Sequence, residues 1–141
     1  MNSIRYGNQK LLNDVTLDQA RDQVAEALGS QGFGILSEID MQTTLKNKLD
    51  VDLHPYRILS ACNPTLAWQG IQAERNIGLL LPCNVVLQQV QDGILVSIID
   101  PPAVFGLVDN LAGNAVAKEA GERLAQALEK LDGRLIPRTS S

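Results

Sequence analysis

The sequence predicts a single α+β domain, in which separate helices pack on one sheet. Its length of 141 residues matches the usual size of one domain. Apolar residues recur at helical spacing near both ends of the chain, at residues 17–28 and 115–131. Runs rich in β-branched residues at 85–90 and 94–99 flank residues 91–93, Gln-Asp-Gly, which is typical of a hairpin. Helices and strands therefore share one chain of single-domain length.

Composition excludes several classes of protein. With 45% hydrophobic and 20% charged residues, the chain is too apolar to be intrinsically disordered. A net charge of −4 argues against a general nucleic-acid binder, which needs basic residues to neutralise phosphates. The sequence contains no run approaching the ~20 apolar residues of a membrane span. Residues 1–14 lack the apolar region of a signal peptide, so we expect a cytoplasmic protein without membrane partners.

Predicted strands and helices alternate in the first third of the chain. Residues 4–12 form the first predicted strand. Thr16 then begins the first helix as its N-cap, and Gln19 completes a capping box. Residues 33–39 form the second predicted strand, which follows two glycines that can stop the helix.

The middle of the chain continues the alternation. Asp40 is the predicted N-cap of a second helix, with Leu45 and Leu49 on its buried side. Residues 55–61 form the third predicted strand. Asn63 then caps a third helix, which has Pro in its first turn.

The remaining segments set the predicted domain boundaries. Residues 104–111 are predicted as a short helix or a loop, and residues 1–133 as one domain. Residues 134–141 are predicted as a frayed, flexible tail. Residues 76–117 contain no basic residue, which predicts the sheet centre, a subunit interface, or both.

Cys62 and Cys83 are the two cysteines, and an Asn follows each of them. Their spacing excludes a C-x-x-C motif, and a single His, His54, leaves too few ligands for zinc. One interpretation is that both are small buried hydrophobic residues. In the other, they share a pocket, where a helix starting at Asn63 favours the thiolate form of Cys62. A disulfide is disfavoured in a reducing cytoplasm.

Four motifs occur in order along the chain. Residues 32–40 contain Gly-Phe-Gly and Glu-Ile-Asp, residues 56–64 are Tyr-Arg-Ile-Leu-Ser-Ala-Cys-Asn-Pro, residues 77–85 are Ile-Gly-Leu-Leu-Leu-Pro-Cys-Asn-Val, and residues 99–101 are Ile-Asp-Pro. Together they resemble the bacterial and archaeal domain-of-unknown-function family three-hundred-and-two. The resemblance implies an α+β domain of the β-α-β-β-β-β type with extra helices, in members that pair as homodimers. It names no activity, and a fold alone does not supply one.

Carboxylates form a second group of candidates. Glu38 and Asp40 lie two residues apart on a predicted strand and share one face, where paired carboxylates can exchange protons or bind a cation. Alternatively, Asp40 only caps a helix and Glu38 pairs with Arg57 or Lys46. Asp100 either faces a site at a strand end or belongs to a turn.

The first functional hypothesis is a homodimeric module that binds a small ligand, a soft metal or a sulfur species, with the cofactor left open. Its predicted pocket combines cysteine, asparagine and carboxylate side chains. These are Glu38, Asp40, Cys62, Asn63, Cys83, Asn84 and Asp100.

Two alternatives belong to other classes of function. One is an enzyme with Cys62 as nucleophile and Glu38 or Asp40 as proton carrier. The other is a protein-interaction scaffold, which an exposed Trp68 would favour and a buried Trp68 would not.

Overall fold

In the described part of the chain, six strands form one antiparallel sheet, and the helices lie between strands along the sequence. The computed structural model describes residues 3–108 and 110–139, and those parts of the predictions that fall on residues 1–2, 109 and 140–141 lie outside it. The strands are β1 (Gly7–Leu12), β2 (Gly34–Asp40), β3 (Tyr56–Cys62), β4 (Cys83–Val90), β5 (Gly93–Ile99) and β6 (Arg134–Ile136). The helices are α1 (Leu17–Gly29), α2 (Met41–Leu49), α3 (Pro64–Ala73), α4 (Pro101–Val104) and α5 (Leu111–Glu129), with 3₁₀ turns at Arg75–Leu80 and Phe105–Leu107.

The order of strands across the sheet is β2-β3-β4-β5-β1-β6. Every one of these neighbouring pairs is antiparallel. The first five strands and α1 follow the β-α-β-β-β-β pattern along the chain, so the predicted α+β fold with a C-terminal helix is confirmed. The hairpin predicted around residues 91–93 is confirmed as well, because Val90 pairs with Gly93.

The main core lies between the sheet and the helices α1 and α5. Ala20, Val24 and Leu28 form the buried stripe of α1, at the helical spacing that the sequence predicts. They pack in one cluster with Leu59 and Val85 of the central strands, both of which are fully buried. Burial of these apolar side chains holds one face of the sheet against the helices.

The opposite face of the sheet carries a row of uncharged side chains that crosses all six strands. Side chains alternate between the two faces, so this row points away from the cluster that contains Leu59 and Val85. Cross-strand pairing links its members in the order Ile39, Ile58, Val86, Ser97, Gln9 and Ile136. We call these six residues the uncharged row.

The second helix, α2, differs from its prediction in how it packs. Asp40 is its N-cap, as predicted, and accepts a hydrogen bond from the backbone N–H of Thr43 at 3.0 Å. Leu49, however, is 66% exposed, and α2 contains no buried residue. The prediction that Leu45 and Leu49 form a buried side is therefore wrong, because α2 packs against β3 outside the main core.

The tail prediction is wrong for Arg134–Ile136, which form β6 and pair with β1. Beyond them, Arg138 donates to the carboxylate of Asp100 at 2.8 Å and also to the carbonyl oxygen of Arg5. The backbone N–H of Thr139 donates to the carbonyl oxygen of Ile4 at 3.0 Å. An edge strand and these polar contacts hold the segment that polar composition alone predicts to fray.

The last helix begins earlier than the sequence predicts. It starts at Leu111 instead of residue 115, because the side chain of Asn110 accepts a hydrogen bond from the backbone N–H of Gly113 at 3.0 Å and caps it. The segment before it, predicted as a short helix or a loop, follows α4 as a 3₁₀ turn at Phe105–Leu107.

Candidate functional site

A cavity of about 250 Å³ lies between α3 and α5, beside the adjoining ends of β3 and β4. Cys62, Asn63 and Cys83 line it, together with apolar side chains and glycines. Among the described residues, its lining contains no charged side chain. The cavity therefore brings both cysteines and one predicted asparagine into a single apolar site.

Asn63 fixes the corner where β3 passes into α3. Its side-chain oxygen accepts a hydrogen bond from the backbone N–H of Leu66 at 3.1 Å, which caps α3 as predicted. Its side-chain amide donates to the carbonyl oxygen of Gln31 at 3.4 Å. The next residue, Pro64, fits the first helical turn because that turn needs no N–H donor. This corner places Cys62 at the wall of the cavity.

Small residues on the facing helices leave the space open. Gly70 of α3 lines the cavity opposite Ala117 and Ala120 of α5. A methyl group on Gly70 would meet the side chains of Ile77 and Val116 at 3.8 Å, which is ordinary van der Waals contact. The cavity therefore stays open because Gly70 has no side chain, and not because the backbone at this position requires a glycine.

A β-bulge in β2 turns one side chain toward the cavity. The register between β2 and β3 shifts between Ile35 and Ser37, which leaves Leu36 as the extra residue. Leu36 lines the cavity and is 67% exposed, and Ile71 of α3 lines it with 43% exposure. Bulges re-aim side chains in this way beside binding sites. We call the region around Leu36 and Ile71 the mouth of the cavity.

The two thiols are free and differ in burial. Cys83 is 5% exposed, whereas Cys62 is partly buried. Ala61, the neighbour of Cys62, pairs directly with Cys83 across β3 and β4. Burial, helped by the nearby Cys62, raises the pKa of Cys83 to about 11. Cys83 is therefore a neutral thiol near pH 7.

Glu38 lies outside the cavity lining and within an ion-pair network. One carboxylate oxygen accepts from Arg21 at 2.8 Å, and the other lies 3.6 Å from Arg57. Arg57 also contacts Asp18 of α1 at 2.7 Å. Glu38 is therefore ion-paired, with Arg57 as one of its two partners, as one of the two interpretations of the sequence expects. The network joins β2 and β3 to α1.

Asp40 also lies outside the cavity lining. Its carboxylate accepts from both the backbone N–H and the hydroxyl of Thr43 at 3.0 Å. The backbone hydrogen bond lowers the pKa of Asp40 below its ordinary value of 3.8. This is the geometry of a helix cap, which is the second of the two interpretations that the sequence offers for Asp40.

The remaining two candidates lie apart from the cavity as well. Asn84 is exposed on the sheet and accepts from the hydroxyl of Ser60 at 3.3 Å. Asp100 precedes α4 and pairs with Arg138 at 2.8 Å. The structure thus assembles Cys62, Asn63 and Cys83 into one site and distributes the other four candidates elsewhere.

The chain matches a known protein family over most of its length. The family model described as "Domain of unknown function DUF302" matches residues 9–131. The chain belongs to the DUF302 family. The resemblance carried by the four sequence motifs is therefore confirmed.

A DUF302 protein of known structure shares the fold. A crystal structure of an uncharacterized conserved DUF302 protein from Bacillus stearothermophilus matches this chain with a TM-score of 0.80 and 24% sequence identity. The match covers 88% of this chain and 96% of that chain. No curated protein matches.

The described part of this DUF302 chain contains no group of three or more His, Cys, Asp or Glu residues placed to hold a metal ion. Within residues 3–108 and 110–139, no helix is long and apolar enough to cross a membrane.

Sequence reasoning missed most of the cavity. The sequence does not point to Leu36, because its position depends on a β-bulge. A bulge is set by the register between two strands, which the local sequence does not specify. Gly70 lies in the predicted third helix, and nothing next to it in the sequence marks it as a site residue. The signal that could have found it is a set of small residues, Gly70, Ala117 and Ala120, on two helices that must pack together.

Proposed function

We propose that this DUF302 chain binds a small molecule in the cavity between α3 and α5. The observation that carries the proposal is the cavity itself, about 250 Å³ of apolar space lined by two free cysteines. Small-molecule sites are concave, mostly apolar and roughly 300–1,000 Å³ in volume. At about 250 Å³, this cavity lies just below that range of volumes, so its ligand is small. The proposed site comprises Cys62, Asn63, Cys83 and the apolar walls.

A small molecule is better supported than a soft metal or a sulfur species. Sulfur transfer needs a thiolate, and a soft metal must displace the proton of each thiol that it binds, which costs more when the pKa of the thiol is high. Burial raises the pKa of Cys83 to about 11, which keeps this residue protonated near neutral pH. Glu38 and Asp40, the predicted carboxylates of the pocket, are held by other partners outside the lining.

Native mass spectrometry of freshly purified, untagged protein, with and without added small-molecule fragments, tests the proposal. We expect a non-covalent adduct whose occupancy falls in Gly70→Leu, where the new side chain fills the cavity. Gly29→Ala, at the end of α1 with no atom within 4 Å of its new methyl group, is the matched control. An adduct that persists at full occupancy in Gly70→Leu, or a chain that binds no fragment, contradicts the proposal.

The enzyme alternative has less support. It needs a proton carrier beside Cys62, and the two carboxylates predicted for that role lie outside the cavity lining. Asp40 accepts from Thr43, and Glu38 accepts from Arg21. A general base must lie within hydrogen-bond reach of the proton it removes. We therefore place ligand binding before catalysis.

A protein-interaction role is the second candidate, because Trp68 of α3 is 62% exposed. Large exposed apolar side chains are common at interaction surfaces, where Trp is often an anchor. A photoreactive residue at position 68 should crosslink one discrete partner in the producing cells. The same residue at Gln69, also exposed on α3, is the control. Crosslinking that is equal at both positions, or absent at 68, argues against this role.

We also propose a homodimer that packs through the uncharged row. Two copies of a chain with net charge −4 repel each other, and a row without charged side chains reduces that repulsion where the copies touch. Arg134, two residues before Ile136, lies on the same face of the sheet at the end of this row. The side-chain amide of Gln9 donates to the hydroxyl of Ser97 at 2.9 Å, so these two polar members of the row partly satisfy each other within one chain. The absence of basic residues from 76–117 fits an interface that includes β4 and β5.

Two broader proposals concern the extent of the domain and the location of the protein in the cell. We propose that the predicted domain of residues 1–133 extends to residue 136, because β6 belongs to the same sheet as the other strands. We place the protein in the cytoplasm, where reducing conditions keep Cys62 and Cys83 as thiols.

A further inference from the structure

We infer that the ligand of this cavity is uncharged and hydrocarbon-rich in the part that enters it. This inference rests on the proposed small-molecule binding and names the chemical class of the ligand. Its first basis is the lining, in which no described residue contributes a charge. Burying an ionised group without a partner is very unfavourable, so a charged ligand would lose its hydration and gain no counter-charge.

The polar groups of the lining are already engaged. The side-chain oxygen of Asn63 accepts from Leu66, and its amide donates to Gln31. What remains among the side chains of the lining are one N–H of the Asn63 amide and the two thiols, and thiols are weak hydrogen-bonding groups. A polar ligand would therefore exchange strong hydrogen bonds to water for weak ones, whereas an apolar ligand loses nothing on entry.

The apolar character extends to the surface. Leu36 and Ile71 at the mouth are 67% and 43% exposed, so apolar side chains line both the interior and the entrance. Apolar cavities of about 150 Å³ in proteins stay dry and bind benzene or xenon. A cavity of about 250 Å³ with such a mouth suits an aromatic ring system or a short hydrocarbon chain.

Two fluorescent probes that differ by a single charged group test the inference. N-phenyl-1-naphthylamine is uncharged, and 1-anilinonaphthalene-8-sulfonate is the same molecule with a sulfonate. We expect the uncharged probe to bind with a Kd at least about tenfold lower than that of the sulfonate. Gly70→Leu should weaken binding of the uncharged probe by at least about tenfold, and Gly70→Ala by a smaller factor.

Gly70→Ala keeps the test sound if the leucine variant fails to fold, because its methyl group meets Ile77 and Val116 at 3.8 Å. Gly29→Ala should leave both affinities unchanged. Equal affinities for the two probes, both weakened by the Gly70 substitutions, overturn the inferred ligand class and leave the small-molecule proposal standing. Failure of both probes and of all fragments to bind in a Gly70-dependent manner overturns the small-molecule proposal as well.

Discussion

The ammonium group of Lys10 in β1 donates hydrogen bonds to the carbonyl oxygens of Leu128 and Glu129, each at 3.1 Å. Lys10 is only 9% exposed. The last carbonyl groups of a helix have no partner within the helix and carry its negative pole. The lysine satisfies two of them at the end of α5, and so it fastens this helix to the sheet.

Replacing Lys10 by Met should lower the free energy of unfolding by about 1–3 kcal/mol, because two carbonyl oxygens lose their donor. Urea unfolding followed by circular dichroism measures the change. Lys118→Met, at an exposed position of the same helix α5, should stay within about 0.5 kcal/mol of the parent. Equal stability of the two variants contradicts this role of Lys10.

Gly32→Ala should destabilise the fold by about 1 kcal/mol or more, because the residue has a φ of 83° and side chains rarely adopt that backbone conformation. The new methyl group would also lie 2.9 Å from the side-chain nitrogen of Asn63. Thermal unfolding measures the loss, with Gly29→Ala as the control. A melting temperature equal to that of the control rules out this role of Gly32.

Asp40 should contribute to stability in a pH-dependent way. Its pKa in the folded protein is lowered from 3.8, mainly by the backbone N–H of Thr43. Its contribution is therefore fully present above the unfolded value and is lost as the pH falls through the folded value. Asp40→Asn removes the charge and keeps a cap. The difference in urea midpoint between the parent and this variant should shrink from pH 7 to pH 3, and a constant difference contradicts the assignment.

The two cysteines should differ in reactivity toward iodoacetamide. Burial raises the pKa of Cys83 to about 11, so the native protein should react only at Cys62 between pH 7 and pH 9. Mass spectrometry of the intact protein counts the added groups. Cys62→Ser should take up no label until it is unfolded, whereas Cys83→Ser should label like the parent. Rapid native labelling of Cys62→Ser contradicts this picture of Cys83.

The proposed interface makes Val86, in the middle of the uncharged row, a sensitive position. Light scattering after size exclusion should give twice the chain mass for the parent. Val86→Lys should give a single chain, because the ammonium groups of two copies would be brought together without partners. Gln72→Lys, exposed on α3, should remain paired. A monomeric parent, or a paired Val86→Lys, rejects this interface.

Local signals predicted the elements of the fold well. The capping box of α1 forms as expected, with the Thr16 hydroxyl accepting from the backbone of Gln19 and the Gln19 side chain accepting from the backbone of Thr16. Asn63 and Asp40 cap their helices for the same reason, since caps depend on residues a few positions apart. The edge strand at Arg134–Ile136 was missed because its pairing partner, β1, lies at the other end of the chain.

The candidate site was predicted only in part, and distance along the chain explains the difference. Cys62 and Cys83 line one cavity because β3 and β4 pair, and the sequence left the order of the strands open. Glu38 and Asp40 look like a reactive pair in the sequence. The sequence predicts the cap that holds Asp40, because Thr43 is only three residues away. Arg21 lies 17 residues before Glu38, and only the folded chain brings these two side chains together.

The position of β1 between β5 and β6 has a consequence for biosynthesis. Leu12 pairs with Ile94, so the first strand leaves the ribosome long before its neighbours exist. The four strands β2, β3, β4 and β5 can pair in chain order, because they are consecutive neighbours in the sheet. During synthesis, β1 can therefore join the sheet only after β5 has been made, whereas β2 and β3 can pair much earlier.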